Sequence, residues 1–254
     1  GNGSANVKNG EIEFRNVSLT YPETKIKALN NVSFKIKAGE TIGVLGKVGA
    51  GKTSLLELIT RLYDPNEGEV LIDGQNLKLF NLNELRKSIG YVPQNPFLFS
   101  ESISNNIKFG KNNATNKEIE NAANNASIDK EIKKLKNGYQ TILGERGVTL
   151  SGGQVQRISI ARALIKNPNI ILLDDCLSAV DTDTEEIILK SLYKYSEKKT
   201  TLIVSHRISS MKSADSIIVF KNGNVIEQGG HNELMENESY YSRLYNKQQS
   251  EQNK

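Results

Sequence analysis

The run Thr41-Ile42-Gly43-Val44-Leu45 passes directly into Gly46-Lys47-Val48-Gly49-Ala50-Gly51-Lys52-Thr53. The second segment fits G-x-x-x-x-G-K-[ST] at every fixed position, and no other stretch limits the fold so tightly. A buried strand has to end where the glycines begin, and Ser54-Leu55-Leu56-Glu57-Leu58-Ile59 has to carry a helix away from them. Glycines let the backbone curl so that successive N–H groups face one anion, and the helix N-terminus adds its positive end. Gly46, Lys47, Val48, Gly49, Ala50, Gly51, Lys52, Thr53 and Ser54 are therefore the residues expected around the phosphates of a nucleotide. Lys52 is expected to reach the β- and γ-phosphates, and the Thr53 hydroxyl to ligate Mg²⁺. Lys47 either adds a phosphate contact or points to solvent.

A second buried strand, Ile170-Ile171-Leu172-Leu173, ends in Asp174 and Asp175. Carboxylates at the C-terminal end of a parallel strand face the ligand crevice. Asp174 is expected in the Mg²⁺ shell, directly or through water, and Asp175 nearer the γ-phosphate, orienting or polarising the attacking water. The plain alternative is a helix-capping pair. Between the two strands, Leu150-Ser151-Gly152-Gly153-Gln154-Val155-Gln156-Arg157 opens a helix through Ile158–Leu164. The Ser151 hydroxyl and the amides of Gly152, Gly153 and Gln154 suit an anion. One chain's phosphate loop already surrounds its own phosphates, so this second anion site suits a neighbouring molecule. That argues for a head-to-tail dimer with ATP at its interface.

The fold class read from the sequence is α/β: a P-loop NTPase core with a parallel sheet, an N-terminal antiparallel β subdomain and an inserted α-helical subdomain. Glu11–Val17 and Val32–Lys37 alternate polar and apolar residues, as half-exposed strands do. Ile89–Pro93, Ile170–Asp174 and Thr201–Ser205 are short apolar runs with helical stretches between them, the pattern of a parallel core. Asn222-Gly223 marks a hairpin between Ser216–Phe220 and Val225–Gln228. From about 97 to 166 no strand is evident, and Lys117–Ala126 and Lys130–Leu135 read as helices; Lys108–Lys117 reads as a solvated loop. Residues 1–10 are expected to be a linker, 11–246 one domain, and 247–254 a frayed polar tail. The missing initiator Met suggests a piece of a longer protein.

The 254 residues can bury a good core. Net charge is only +4 and no Lys/Arg block is interleaved with aromatics, so no nucleic-acid partner is expected. No apolar run reaches the length of about 18 residues that crosses a membrane. The lone Cys176 excludes an internal disulfide, suggests a reducing compartment and is expected to be a small buried filler.

Together these motifs make the chain resemble the nucleotide-binding domain of an ABC transporter, of the exporter type and most like bacterial multidrug half-transporters. The resemblance runs from about Gly10 to Tyr245. It implies that Gly46–Thr53 is the Walker A loop and Ile170–Asp174 the Walker B strand. It further implies that Tyr21 stacks on adenine, and that Gln94 contacts Mg²⁺ and couples to the membrane domain. Ser178–Asp181 resembles the D-loop, and His206 the switch histidine that contacts the γ-phosphate. The bland readings are core packing for Tyr21, a strand-end amide for Gln94 and a structural imidazole for His206. Leu143-Gly144-Glu145-Arg146-Gly147 resembles the loop that exporters set against their membrane domain, and it favours exporter over importer. The partners implied are a second nucleotide-binding domain, as homodimer or heterodimer, and a transmembrane domain. The implied location is the cytoplasmic face of the plasma (inner) membrane. His231 matches no motif and reads as a surface or helix-start residue.

One residue departs from the family pattern. Efficient members carry Glu where this chain has Asp175. Asp is one methylene shorter, and a misplacement of ~1 Å can cost on the order of 10²-fold in rate. In the family such an Asp often marks the slow half of a heterodimeric exporter. The expectation is an ATP-hydrolysing motor domain. The other readings are a clamp that mainly binds ATP, and a soluble ABC ATPase outside transport.

Overall fold

The computed structural model describes residues 5–144, 149–236 and 239–252. The chain divides into two compact units. One runs to Arg86 and resumes at Lys198, and the other is Lys87–Glu197.

The first unit opens with strands β1 (Ile12–Thr20) and β2 (Lys27–Ile36), which pair antiparallel, Phe14 opposite Phe34. Their rings stack at 4.6 Å. β3 (Thr41–Gly46) is buried at every residue, and α1 (Lys52–Ile59) follows its glycine loop. β4 (Glu67–Ile72) joins the other edge of β1, and β5 (Gln75–Asn76) returns beside it, giving the order β2-β1-β4-β5. Asp73 and Gly74, at φ +50 and +73, make the turn between β4 and β5. The expected linker is not loose where it meets this turn. The N–H groups of Lys8, Asn9, Gly10 and Glu11 all donate to the Asp73 carboxylate at 2.7–3.1 Å. α2 (Leu82–Lys87) ends this part.

The second unit starts with β6 (Ile89–Val92) and then becomes helical: α3 (Ile103–Lys108), α4 (Asn116–Asn125), α5 (Asp129–Lys134) and α6 (Gly152–Leu164). The stretch expected as a solvated loop is a short connection with Ala114 buried, and Lys111 within it pairs with Glu118 of α4. β7 (Ile170–Asp174) is buried throughout and lies parallel to β6, Val92 beside Leu173. α7 (Thr182–Ser196) is capped by Asp181, whose carboxylate accepts from the Thr184 N–H at 2.9 Å.

The chain returns to the first unit with β8 (Thr200–Ser205), β9 (Ser216–Lys221) and β10 (Asn224–Gly229). β3 lies parallel between β8 and β9, and β10 pairs antiparallel with β9. Helices α8 (His231–Glu236) and α9 (Tyr240–Gln252) finish it. The segment expected as a frayed tail from residue 247 is helical to Gln252, because α9 packs on a cluster that contains Leu45, Met211, Val219 and the fully buried Tyr241. Residues 145–147 of the loop expected to face a membrane domain lie outside the described residues. Among the described residues no helix is long and apolar enough to cross a membrane.

The Lys111 ammonium and the Thr115 N–H hold the Glu118 carboxyl down to about 2. A carboxyl lowered on folding contributes stability above its unfolded value, and the contribution disappears as pH falls through the folded one. Thermal melts between about pH 6 and pH 2 should show Glu118→Gln below the native protein at the upper end and converging on it at the lower. The pair is exposed, so the gap will be small.

Candidate functional site

In the first unit the residues expected at the phosphates gather where β3 ends. Gly46 lies beside Phe220 of β9 and Leu45 beside Ser205 of β8, so the glycine loop and His206 leave the same sheet edge. This is the carboxyl edge of parallel strands, where α/β sheets bind ligands. Gly49 and Gly51 have φ +79 and +101, in the left-handed region open to glycine. A Cβ on Gly51 would stand 2.5 Å from the Ala28 carbonyl oxygen, and one on Gly46 would stand 2.7 Å from that of Phe220. Gly49 faces open space, and Val48 at the loop tip is 96% exposed.

The Lys52 ammonium folds back into this loop and donates to the carbonyls of Gly46 at 2.7 Å and Lys47 at 2.9 Å. Lys47 and Thr53 are exposed and Ala50 is buried. The N-cap residue of α1 is Gly51, which has no side chain to cap it. A helix N-terminus without a side-chain cap, following a loop with room above Gly49, fits an anion rich in acceptor oxygens. Ser54 differs from its neighbours. Its side chain is buried and its Oγ lies 2.7 Å from the Tyr21 hydroxyl, so what it can offer phosphate is its N–H.

Tyr21 also donates to the Glu57 carboxylate, and its ring meets Tyr63 edge-on at 5.1 Å. Burial, with the Glu57 carboxylate beside it, pushes the phenol up to about 12. Tyr21 lines an open cleft of about 470 Å³ with Lys25, Tyr63, Asp64 and Asn66. His206 is exposed directly after β8, and its carbonyl accepts from Gln248 Nε2 at 2.7 Å.

In the second unit, Gln94 and the acidic pair leave the same edge of the β6–β7 pair. Asp174 is buried, and Asp175 stands half-buried in the left-handed conformation at φ +45. Gln94 Nε2 donates to Asp175 Oδ2 at 3.3 Å. Among the described residues no three His, Cys, Asp or Glu side chains cluster as a metal cage. The donors of this unit, an amide and two carboxylates, are hard oxygen ligands. They suit Mg²⁺ sharing its shell with phosphate and water. Burial pushes the Cys176 thiol up, in keeping with a structural filler.

Ser151 caps α6 in a capping box: its Oγ accepts from the Gln154 N–H at 3.2 Å, and Gln154 Oε1 accepts from the Ser151 N–H at 3.0 Å. The Ser151 hydroxyl keeps a proton to donate. Both ends of the Gln154 amide are used within the unit, since Nε2 donates to Glu131 at 3.1 Å. Arg157 grips the same carboxylate and also donates to the carbonyls of Gly153 and Ser127. The sequence motifs do not point to Glu131, nor to Gln156, which bonds Ser178 Oγ and the Ala179 N–H. Such contacts leave no periodic signal in a sequence. Gly152 and Gly153 pack against Ala179 and Val180, at ideal Cβ distances of 3.2 Å.

Strand, glycine loop and helix in this order, with acids ending a second parallel strand, define a phosphate-binding-loop nucleotide protein. The ABC transporter family model matches residues 29–178. The chain belongs to that family. It is 45% identical over 240 residues to the probable multidrug resistance ABC transporter ATP-binding/permease protein YheI of Bacillus subtilis, covering 94% of this chain and 41% of that protein. It is 42% identical over 240 residues to the ATP-dependent lipid A-core flippase of Escherichia coli K12, with the same coverage. A solved bacterial Atm1-family ABC exporter with ATP bound superposes with a TM-score of 0.92 at 38% identity, over 97% of this chain and 44% of the other. The chain thus spans about two-fifths of the length of the curated relatives it matches.

The two loop glycines should respond differently to a methyl group. Gly49→Ala meets nothing and costs only the left-handed backbone, about 1–2 kcal/mol. Gly51→Ala also drives a methyl into the Ala28 carbonyl, so it should lose more stability and most nucleotide affinity. Thermal unfolding and titration with a nucleotide check both.

Proposed function

We propose that the chain is the ATP-binding and ATP-hydrolysing motor domain of an exporter, working head-to-tail with a second such domain. The observation that carries this reading is the phosphate loop. Its glycines hold a curled backbone against fixed carbonyls, and Lys52 rests on carbonyls that phosphate oxygens can replace. Tyr21 takes the adenine. Thr53, Gln94 and Asp174 would hold Mg²⁺, which would supply charge neutralisation to the phosphates. His206 donates to the γ-phosphate, and Asp175 orients the water for in-line attack. Ser151 and the α6 amides close on the phosphates held by the other domain.

The relatives' names, a multidrug resistance ATP-binding/permease protein and a lipid A-core flippase, support a multidrug or lipid-like cargo and a permease partner, with this domain working at the cytoplasmic face of the membrane as part of the proposal. An exposed aromatic group on the second unit supports a partner: the Phe99 ring touches those of Phe97 and Phe109, with the Arg162 guanidinium over Phe99 and Phe109.

Asp175 favours a second, narrower reading, in which this half clamps ATP and turns it over slowly while its Ser151 helix completes a faster site. The partner then carries Glu at the equivalent position and a weakened signature. The test is steady-state ATP turnover of the native protein beside Asp175→Glu, with Mg²⁺ and at matched concentration. A rise of about 10²-fold is expected if one methylene is the brake. Equal rates in both would show that Asp175 suffices and remove the slow-half reading. A natural partner with an intact LSGGQ would also count against it.

A further inference from the structure

We propose that Gln248 of α9 is a positioning residue for His206, so that the C-terminal helix sets the backbone from which the histidine acts; this rests on the role proposed for His206 in ATP hydrolysis. β8 ends at Ser205, so the strand ladder does not extend to His206. Gln248 takes over from the ladder at that point. Its Nε2 donates to the His206 carbonyl at 2.7 Å, and its Oε1 accepts from the Ile208 N–H at 3.0 Å. One planar amide thus closes on both sides of Arg207, whose own N–H donates to Ser205 Oγ at 2.9 Å.

The helix that carries this amide is itself fixed. The Glu227 carboxylate of β10 caps it by accepting from the N–H groups of Tyr240 at 2.6 Å and Tyr241 at 2.9 Å. Tyr241 is fully buried, with its hydroxyl 2.7 Å from His231 Nδ1. The Lys212 ammonium lies 5.1 Å from the centre of the Tyr245 ring, one turn before Gln248. A rigid element therefore presents a bidentate amide to a segment that leaves the sheet. Gln248 is half-buried, so water can replace both bonds without unfolding the unit. Water cannot fix the direction of the His206 ring, and a misplacement of ~1 Å is worth on the order of 10² in rate.

The test uses the full-length protein, in whichever of the native and Asp175→Glu forms turns over faster, and compares Gln248→Ala, Gln248→Glu, His206→Ala and the double variant His206→Ala/Gln248→Ala. Gln248→Ala should lower kcat about tenfold, with ATP affinity and melting temperature nearly unchanged. Gln248→Glu keeps the acceptor for Ile208 but cannot donate to His206, so it should fall with alanine. The double variant should be no slower than His206→Ala, because Gln248 acts only through the histidine. If alanine loosens α9, Gln248→Met, which fills a similar volume without the amide, takes its place. Additive losses, full activity in Gln248→Glu, or a rate that falls only with the melting temperature would overturn the proposal while leaving His206 its role. Undiminished turnover in His206→Ala would instead remove that role, and this inference with it.

Discussion

Around the phosphate loop, Gly46, Gly51 and Gly223 approach neighbouring carbonyls more closely than any side chain allows, and the loop depends on those approaches. A Cβ at Gly46 would stand 2.7 Å from the Phe220 oxygen; at Gly51 and Gly223 it would stand 2.5 and 2.7 Å from the oxygen of Ala28. Gly223 donates its N–H to Ala50 and accepts from Asn30. The β9–β10 turn, strand β2 and the phosphate loop therefore share one packed junction. β2, which belongs to the antiparallel sheet, is a wall of the loop. A cradle so confined is ordered before any ligand arrives, and ordering already done is not charged against binding.

The second unit uses the same device with side chains added. Gly152 and Gly153 let α6 lie against Ala179 and Val180, and Gln156 bonds that segment twice more. Arg157 and Glu131 tie the start of α6 to α5, with the Glu131 carboxyl held below its ordinary value against the opposing effect of burial. The start of the signature helix and the segment after Asp175 are thus one body. Asp175 occupies a left-handed backbone position, which aspartate tolerates better than most residues.

Periodicity and fixed spacing account for the parts of the fold that were legible in the sequence. The phosphate loop, the acidic strand, the signature helix and the Asn-Gly hairpin each have a local physical signature, and each lies where that signature puts it. β4 escapes such a reading although Asp73-Gly74 marks its turn, because Glu67-Gly68-Glu69 hides the strand's polar start. The linker and the tail depart from expectation for a different reason. Polar composition says nothing about four amides converging on Asp73, or about a helix seated through Tyr241 and Gln248. Gln154 and Ser54 lie inside motifs, yet their side chains face inward, which spacing alone does not reveal.

On the proposed function, the shorter carboxylate at Asp175 is compatible with the rest of the chain because binding and turnover draw on different groups. In the proposed function, phosphate is held by backbone amides, Lys52 and, from a second domain, Ser151; none of these depends on where the Asp175 oxygens stand. In the proposed mechanism turnover depends on a contact made only as water attacks, and only such contacts change the rate of the chemical step. On that reading, one methylene fewer in that contact leaves the ground state intact and raises the barrier. On the proposed slow-half reading, a domain built this way closes on ATP and then holds it, so a substitution that slows hydrolysis also lengthens the closed state.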